Sequence, residues 1–271
     1  MTTLTTVTTF LGASARHISG VHVADAVGAA TREAAAGHLT TLGYWPHPDE
    51  TTNSIATNYR QAIDAVADAH LDSSVSIKAD RLDYRWDVLL PVLQRSLERN
   101  VRVHFDAQGE VDPTLHLVER ARSLGADVSA TLQSRLLRSL TDAERLIPLQ
   151  IPIRIVKGQD ADPVKPALDR RRSYLALIER LAGRAVHIGV ATHHRTTAQP
   201  ALDMLQRTNT SCSLEQLRSL PRLDFLARSR GIPVRAYIAY GRFGLPYSIN
   251  EVLRRPAIVW WMLRDAVARL G

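Results

Sequence analysis

The feature of this chain that most constrains its fold is a repeated alternation between short β-rich runs and segments with helical spacing of apolar residues. Eight such β-rich runs are present, with helical segments between them. The predicted strands cover residues 39–44, 75–78, 101–107, 127–133, 151–158, 186–192, 211–217 and 234–240. Because strands that alternate with helices build parallel sheets, and eight such units close a ring, the sequence predicts one α/β domain, a single (β/α)8 barrel.

The length and charge of the chain agree with one cytoplasmic barrel. A chain of 271 residues that is 45% hydrophobic can bury the core of a single barrel. We expect a helical N-terminal extension over residues 1–36, with its helix at 21–36, and the barrel over residues 37–271. No apolar run is long enough to span a membrane, and the first residues lack the basic start of a secretory signal. The net charge of +7 comes from basic residues scattered among acidic ones, which does not predict nucleic-acid binding.

The order of side chains within the strands predicts a polar barrel interior. In the third strand, Val103 and Phe105 share one face, whereas His104 and Asp106 share the other. The second and fourth strands show the same split, with serine, threonine, lysine and glutamine on the inner face. Since an aliphatic core does not need this pattern, we expect a polar ligand in the mouth of the barrel. We interpret His104 and His187 as satisfied core histidines rather than ligands.

Charged and hydrogen-bonding residues stand at the C-terminal ends of the predicted strands, where barrel enzymes place their active sites. They are Lys78, Asp106, Gln133, Lys157, Gly158, Thr192, His193, Glu215 and Tyr237. Arg154 lies on the inner face of the fifth strand, and a buried guanidinium needs a partner or an anion. An internal salt bridge alone would also explain Lys78 and Asp106. The sequence therefore predicts a ligand site at this end of the barrel.

The residues around these strand ends resemble the motifs of the flavin-dependent proline dehydrogenases, barrel enzymes that oxidise proline to pyrroline carboxylate. The matching stretches are residues 75–78, 105–107, 132–134, 154–158, 189–193 and 234–241, followed by Pro246 and Tyr247. They occur in the family's order, each at the end of its own strand, so a chance match does not explain them. The resemblance implies bound FAD and an enzyme that oxidises a C–N bond of an amine or modified amino acid to an imine, by hydride transfer to N5 of the flavin.

The resemblance also implies a role for each of these residues. Arg154 would lie against N5, and Gln133 against the pyrimidine edge of the flavin. The phosphate and ribitol chain would be bound by Lys157, Gly158, Thr192 and His193. The substrate pocket would be walled by Lys78, Asp106, Tyr237 and Tyr247. A guanidinium suits the position near N5 because it stabilises the anion that forms when hydride arrives.

The chain departs from the family where the family binds the carboxylate of its substrate. Two adjacent arginines follow the Pro-Tyr pair in the family, whereas this chain has Asn250 and Glu251. Arg254 replaces the glutamate that braces those arginines, and Arg135 replaces a tyrosine. We therefore expect Asn250 and Glu251 to face a small-molecule or carrier-tethered amine other than free proline, in a biosynthetic reaction. The sequence leaves open whether a quinone or oxygen accepts the electrons.

Two other functions remain open from the sequence alone. The loss of the arginine pair also fits a flavin-binding homologue without activity. A metal-dependent barrel hydrolase is the more remote alternative, with His47, Asp49 and Glu50 as candidate ligands. The first strand lacks the paired histidines that such barrels use, so we expect no metal.

Overall fold

The computed structural model describes residues 19–158 and 161–242, and these residues form a closed barrel of eight parallel strands in sequence order. The strands are β1 (Leu39–Tyr44), β2 (Ser73–Ile77), β3 (Val103–Phe105), β4 (Val128–Gln133), β5 (Ile153–Val156), β6 (Ile188–Ala191), β7 (Cys212–Leu217) and β8 (Val234–Tyr240). β8 closes the ring by pairing with β1, with Leu39 opposite Arg235 and Tyr44 opposite Tyr240. The barrel predicted from the sequence is confirmed.

Eight α-helices of the described residues surround this sheet. They are α1 (Val23–Ala35), α2 (Thr52–Asp68), α3 (Trp86–Arg99), α4 (Val111–Ser123), α5 (Ser139–Leu146), α6 (Arg170–Leu181), α7 (Arg195–Arg207) and α8 (Asp224–Arg228). Two short 3-10 helices, Ala79–Leu82 and Ile147–Leu149, complete the connections. Within the two described stretches, no helix is long and apolar enough to cross a membrane.

The hydrophobic core lies between the sheet and the helices, so the barrel interior is left for polar groups. Outward-facing residues of the strands, such as Val75, Val103 and Phe105, are at most 1% exposed. Burial of these side chains against the helices is the main term that stabilises the barrel. Helix α2 shows how a surrounding helix also supports the interior, because its buried Tyr59 accepts a hydrogen bond from the backbone N–H of Lys78 at 3.0 Å.

Helix α1 packs against β1 and β8 and covers the seam at which the barrel closes. Its buried face consists of alanines, among them Ala26, Ala29 and Ala30, which allow the helix to lie close to the sheet. At its end, Glu33 accepts hydrogen bonds from His38 at 2.8 Å and from Arg222 at 2.5 Å. These contacts connect the helix before the first strand with the segment that follows the seventh.

The six strands from β2 to β7 differ from their predicted bounds, and β3, β5 and β6 are each at least three residues shorter than predicted. β2 begins at Ser73 and ends at Ile77, so Lys78 lies one residue beyond the strand. The strand begins early because its serines join β1 inside the barrel, where Ser74 and Thr41 share a hydrogen bond of 2.8 Å. Helix α6 begins at Arg170, because the Asp169 carboxylate caps it by accepting two backbone N–H bonds.

Candidate active site

Asp106, directly after β3, is the centre of a buried polar cluster at the C-terminal ends of the strands. Its Oδ2 atom accepts hydrogen bonds from Ser76 at 2.7 Å and from Tyr237 at 3.0 Å, and lies 3.7 Å from Nζ of Lys78. Its Oδ1 atom pairs with the guanidinium of Arg154. Burial raises the pKa of Asp106, but Arg154 and Lys78 outweigh it and hold the pKa well below its ordinary value. The carboxyl group is therefore ionised over the whole physiological range.

Lys78 is fully buried, and its side-chain nitrogen contacts one backbone carbonyl and one aromatic ring. Its Nζ atom donates a hydrogen bond to the carbonyl of Tyr44 at 2.7 Å and lies 4.3 Å from the ring centre of Trp45. Burial lowers the pKa of Lys78 to about 8, against the opposing effect of Asp106. Both the charged and the neutral amine are thus accessible close to neutral pH.

Arg154 in β5 is buried in the barrel interior, and its guanidinium has partners on three sides. Its Nε donates to Thr131 at 3.1 Å, Nη2 pairs with Asp106, and Nη1 lies 3.8 Å from Glu215. The guanidinium carbon also lies 5.2 Å from the ring centre of Tyr237. Burial lowers the pKa of Arg154, but Asp106 and Glu215 raise it more, so the group stays charged. The sequence expectation of a partnered, buried arginine is confirmed.

The two interior histidines are neutral structural groups. His104 forms hydrogen bonds of 2.7 Å to Ser129 and of 2.7 Å to Thr131, and burial followed by the charge of Arg154 keeps its pKa well below the ordinary value. His187 contacts two serine hydroxyls at 2.8 and 3.0 Å, and burial lowers its pKa to about 4. Both rings are therefore satisfied by serine and threonine hydroxyls, and His104 is a buried core residue as expected, whereas His187 is only partly buried.

Tyr237 reaches the cluster across the seam between β8 and β1, where Gly43 leaves room for it. A Cβ atom at Gly43 would stand 2.0 Å from the Tyr237 hydroxyl oxygen. Burial and the charge of Asp106 raise the pKa of Tyr237 well above its ordinary value, so its hydroxyl stays protonated and donates to that carboxylate. Gly43 was not singled out from the sequence, because its role depends on a residue from the opposite end of the chain.

Gln133 and Gly158 meet at the ends of β4 and β5. The Gln133 side chain donates to the carbonyl of Ala107 at 2.9 Å. Gly158 has φ of +85°, and a Cβ atom there would stand 2.6 Å from Oε1 of Gln133. Because residue 158 has no side chain, its backbone and the amide oxygen of Gln133 can lie close together at this strand end.

Lys157 lies half-buried on the adjoining edge of the mouth. Burial lowers its pKa, and the nearby positive charges of Arg170 and Arg135 lower it further. The backbone N–H of Arg135 donates to the carbonyl of Lys157 at 3.2 Å, so these two cations are adjacent in the structure. A concentration of positive charge of this kind favours an anionic ligand.

Thr192 and His193 follow β6 and are tied to the segment after β7. The carbonyl of Thr192 accepts a hydrogen bond from the side chain of Gln216 at 2.8 Å. The His193 ring contacts the carbonyl of Pro221 through Nδ1 at 3.0 Å and accepts from the backbone N–H of Leu217 through Nε2 at 3.1 Å. These partners require the neutral ring with its proton on Nδ1, and they hold the two loops together.

The remaining sequence-derived candidates are three residues near the C-terminal end of the sequence and the proposed metal ligands after β1. Tyr247, Asn250 and Glu251 are outside the described residues. His47 and Asp49 form a surface pair, with 3.3 Å between Nδ1 and Oδ2. In the part of the chain that the structure describes, no group of three or more His, Cys, Asp or Glu residues is arranged to hold a metal ion.

Comparison with curated proteins finds similarity to proline dehydrogenases over most of the chain. Proline dehydrogenase 1 of Bacillus subtilis subsp. natto is 24% identical over 282 aligned residues, which cover 96% of this chain and 92% of the relative. Proline dehydrogenase 2 of Bacillus subtilis (strain 168) is 24% identical over 234 aligned residues, covering 80% of this chain and 77% of the relative. No family model matches the chain.

Solved structures show the same fold. Proline utilization A from Bdellovibrio bacteriovorus, inactivated by N-propargylglycine, superposes with a TM-score of 0.72 at 17% identity, over 86% of this chain and 31% of that one. Proline utilization A from Corynebacterium freiburgense superposes with a TM-score of 0.73 at 15% identity, over 94% and 32%. The chain thus spans about a third of either protein. In sequence, the chain resembles the proline dehydrogenases as a divergent relative, and in fold it resembles these two solved structures.

Proposed function

We propose that this chain is an FAD-dependent oxidoreductase that removes hydride from a carbon next to an amine nitrogen and leaves an imine. The observation that carries the proposal is the buried cluster of Lys78, Asp106 and Arg154 at the strand ends. These three residues stand on motifs that resemble those of the proline dehydrogenases. The similarity to curated proline dehydrogenases supports the broader class, an oxidoreductase.

The residues at the mouth fit FAD. Lys157, with Arg135 and Arg170 beside it, supplies positive charge suited to a pyrophosphate. Gly158 has no side chain to cover the backbone at this strand end, beside the side-chain amide of Gln133. Arg154 is a fixed cation that suits a ring on which negative charge develops. When bound, FAD supplies the oxidation, because its flavin ring accepts a hydride.

The other side chains of the cluster prepare the substrate. Neutral Lys78 would accept at Nζ a proton from a substrate ammonium, so that the amine nitrogen is uncharged. Asp106 stays ionised beside it and stabilises the ammonium form of Lys78 that results. Tyr237 keeps its proton and, through its hydrogen bond of 3.0 Å, orients the carboxylate of Asp106. The substrate itself would be an amine other than free proline, delivered as a small molecule or on a carrier.

The test begins with the spectrum of the purified protein. We expect noncovalent FAD, released on denaturation or taken up by the apoprotein, and loss of flavin absorbance when a suitable amine is added without oxygen. Gly158→Ala should weaken FAD binding by about three- to tenfold, because the new Cβ displaces the Gln133 amide oxygen. Gly125→Ala is the matched control, since Gly125 also has positive φ, of +91°, but has no neighbour within 4 Å of its added Cβ.

Three outcomes separate the possible functions. A protein that takes up FAD and is bleached by an amine supports the proposal. Uptake of FAD with no response to any amine would identify a flavin-binding homologue without activity. A protein that neither contains nor binds FAD would contradict both, and equal effects of Gly158→Ala and Gly125→Ala would place the flavin away from Gln133.

A further inference from the structure

Arg154 has a second carboxylate neighbour that the proposed chemistry does not use. Glu215 extends from β7 into the barrel, and its Oε2 atom lies 3.8 Å from Nη1 of Arg154. Asp106 occupies Nη2 of the same guanidinium, and Thr131 occupies Nε. Each nitrogen of the guanidinium therefore faces an oxygen atom of a different residue, and the three residues belong to three different strands or strand ends.

Gly189 in β6 is the residue that lets Glu215 reach this position. Gly189 lies opposite Arg154 in the register of β5 and β6, and Glu215 lies in the next strand, opposite Ala191. A Cβ atom at Gly189 would stand 2.3 Å from Oε1 of Glu215. Any larger residue would push the carboxylate away, so the glycine and the glutamate are structurally matched.

Glu215 also interacts electrostatically with a second buried cation, Arg235. A small polar cavity of about 30 Å³ is lined by both arginines, Arg154 and Arg235, together with Glu215 and Gly189. Arg235 is mostly buried, and Glu215 is the leading charge that opposes the lowering of its pKa by burial, followed by Asp72, whose Oδ1 lies 3.7 Å from Nη2. Without the Glu215 carboxylate, less negative charge would offset the repulsion between the two guanidinium groups that line this cavity.

We propose that Glu215 is a positioning residue that holds the Arg154 guanidinium against Asp106 and sets the charge that Arg154 presents at the mouth of the barrel. Asp106 approaches the guanidinium from the mouth, and Glu215 from the side of the polar cavity. With both carboxylates present, the guanidinium has a single orientation and its positive charge is largely balanced. Only the second of the two measurements below rests on the proposed function.

The first measurement uses the Nε–H proton of Arg154 in the protein without added ligand. Its NMR signal is assigned by its loss in Arg154→Lys, and its exchange with water is followed. Glu215→Gln and Gly189→Ala should each speed this exchange by about tenfold or more, as expected when a charge-assisted contact on the guanidinium is lost. Gly28→Ala is the control for Gly189→Ala, because its added Cβ meets no atom closer than 3.7 Å.

The second measurement is the midpoint potential of bound flavin. Glu215→Gln removes a negative charge behind Arg154, so the potential should become more positive, whereas a purely structural loss of the arginine would lower it. Unchanged exchange in Glu215→Gln, or equal exchange in Gly189→Ala and Gly28→Ala, would overturn the proposal. If Glu215→Gln does not fold, Gly189→Ala decides, because it retains the carboxylate and only displaces it. Absence of bound flavin would contradict the proposed function and leave the exchange measurement to decide on Glu215.

Discussion

At the scale of single residues, burial rather than residue type decides the chemistry of the cluster. Lys78 has a pKa of about 8 because its ammonium is removed from water, whereas Asp106 stays ionised because two cations face it. The residue types were identifiable from the sequence, since both stand on strand-end motifs. The neighbours that set these pKa values were not, because Trp45 and the carbonyl of Tyr44 contact Lys78 only when β1 and β2 are paired.

The lowered pKa of Lys78 predicts a specific dependence of stability on pH. Between the folded pKa of about 8 and the ordinary value of 10.5, the unfolded chain holds a proton that the folded chain has lost, so the contribution of Lys78 to stability rises with pH. Relative to Lys78→Met, the free energy of unfolding should increase by about 3 kcal/mol across this interval.

Urea unfolding of both proteins at several pH values between about 7 and 10 measures the difference. The exposed Lys165→Met is the control, and its curve should remain parallel to that of the unchanged protein. Parallel curves for Lys78→Met as well would show that the Lys78 amine titrates normally in the folded protein.

For the secondary-structure elements, the sequence predicted which segments form strands and which side chains face inward more accurately than it predicted where the strands begin and end. β1 and β8 have the predicted bounds, and the inner residues of β3 and β4 form the expected polar contacts, as between His104 and Thr131. The early start of β2 was missed because serines at a strand start are also typical of turns. Packing between elements distant in the chain, such as Gly43 against Tyr237, has no local pattern that could predict it.

The contact between β1 and β8 gives a prediction at this scale. Gly43→Ala should destabilise the protein by about 1 to 3 kcal/mol, because the added Cβ overlaps the Tyr237 hydroxyl and the strand backbones cannot separate. In a Tyr237→Ala background the same change should cost much less, since the two residues would then no longer collide. A double-mutant cycle of unfolding free energies measures this coupling, and additive effects would contradict the contact.

For the whole molecule, the barrel and the cluster around Asp106 lie within the described residues. The residues expected to select the substrate come later in the chain. The cluster around Asp106 contains a buried lysine, a charged arginine and a protonated phenol, each already paired with groups of the barrel itself. Selection in the family depends on the arginine pair, and this chain has Asn250 and Glu251 there. Because the barrel resembles that of the family while this residue pair differs, we expect related chemistry on a different substrate.

The last prediction is that free proline is a very poor substrate compared with its methyl ester or amide. Replacing two cations by a neutral amide and an anion makes the field at this position unfavourable for a carboxylate, and loss of a buried charge partner costs roughly 3 to 5 kcal/mol. Free proline should therefore reduce the bound flavin at least about a hundredfold more slowly than the neutral derivatives. Anaerobic titration that follows flavin absorbance measures the three rates. Rapid bleaching by free proline alone would mean that another cation, such as Arg135 or Arg254, binds the carboxylate instead.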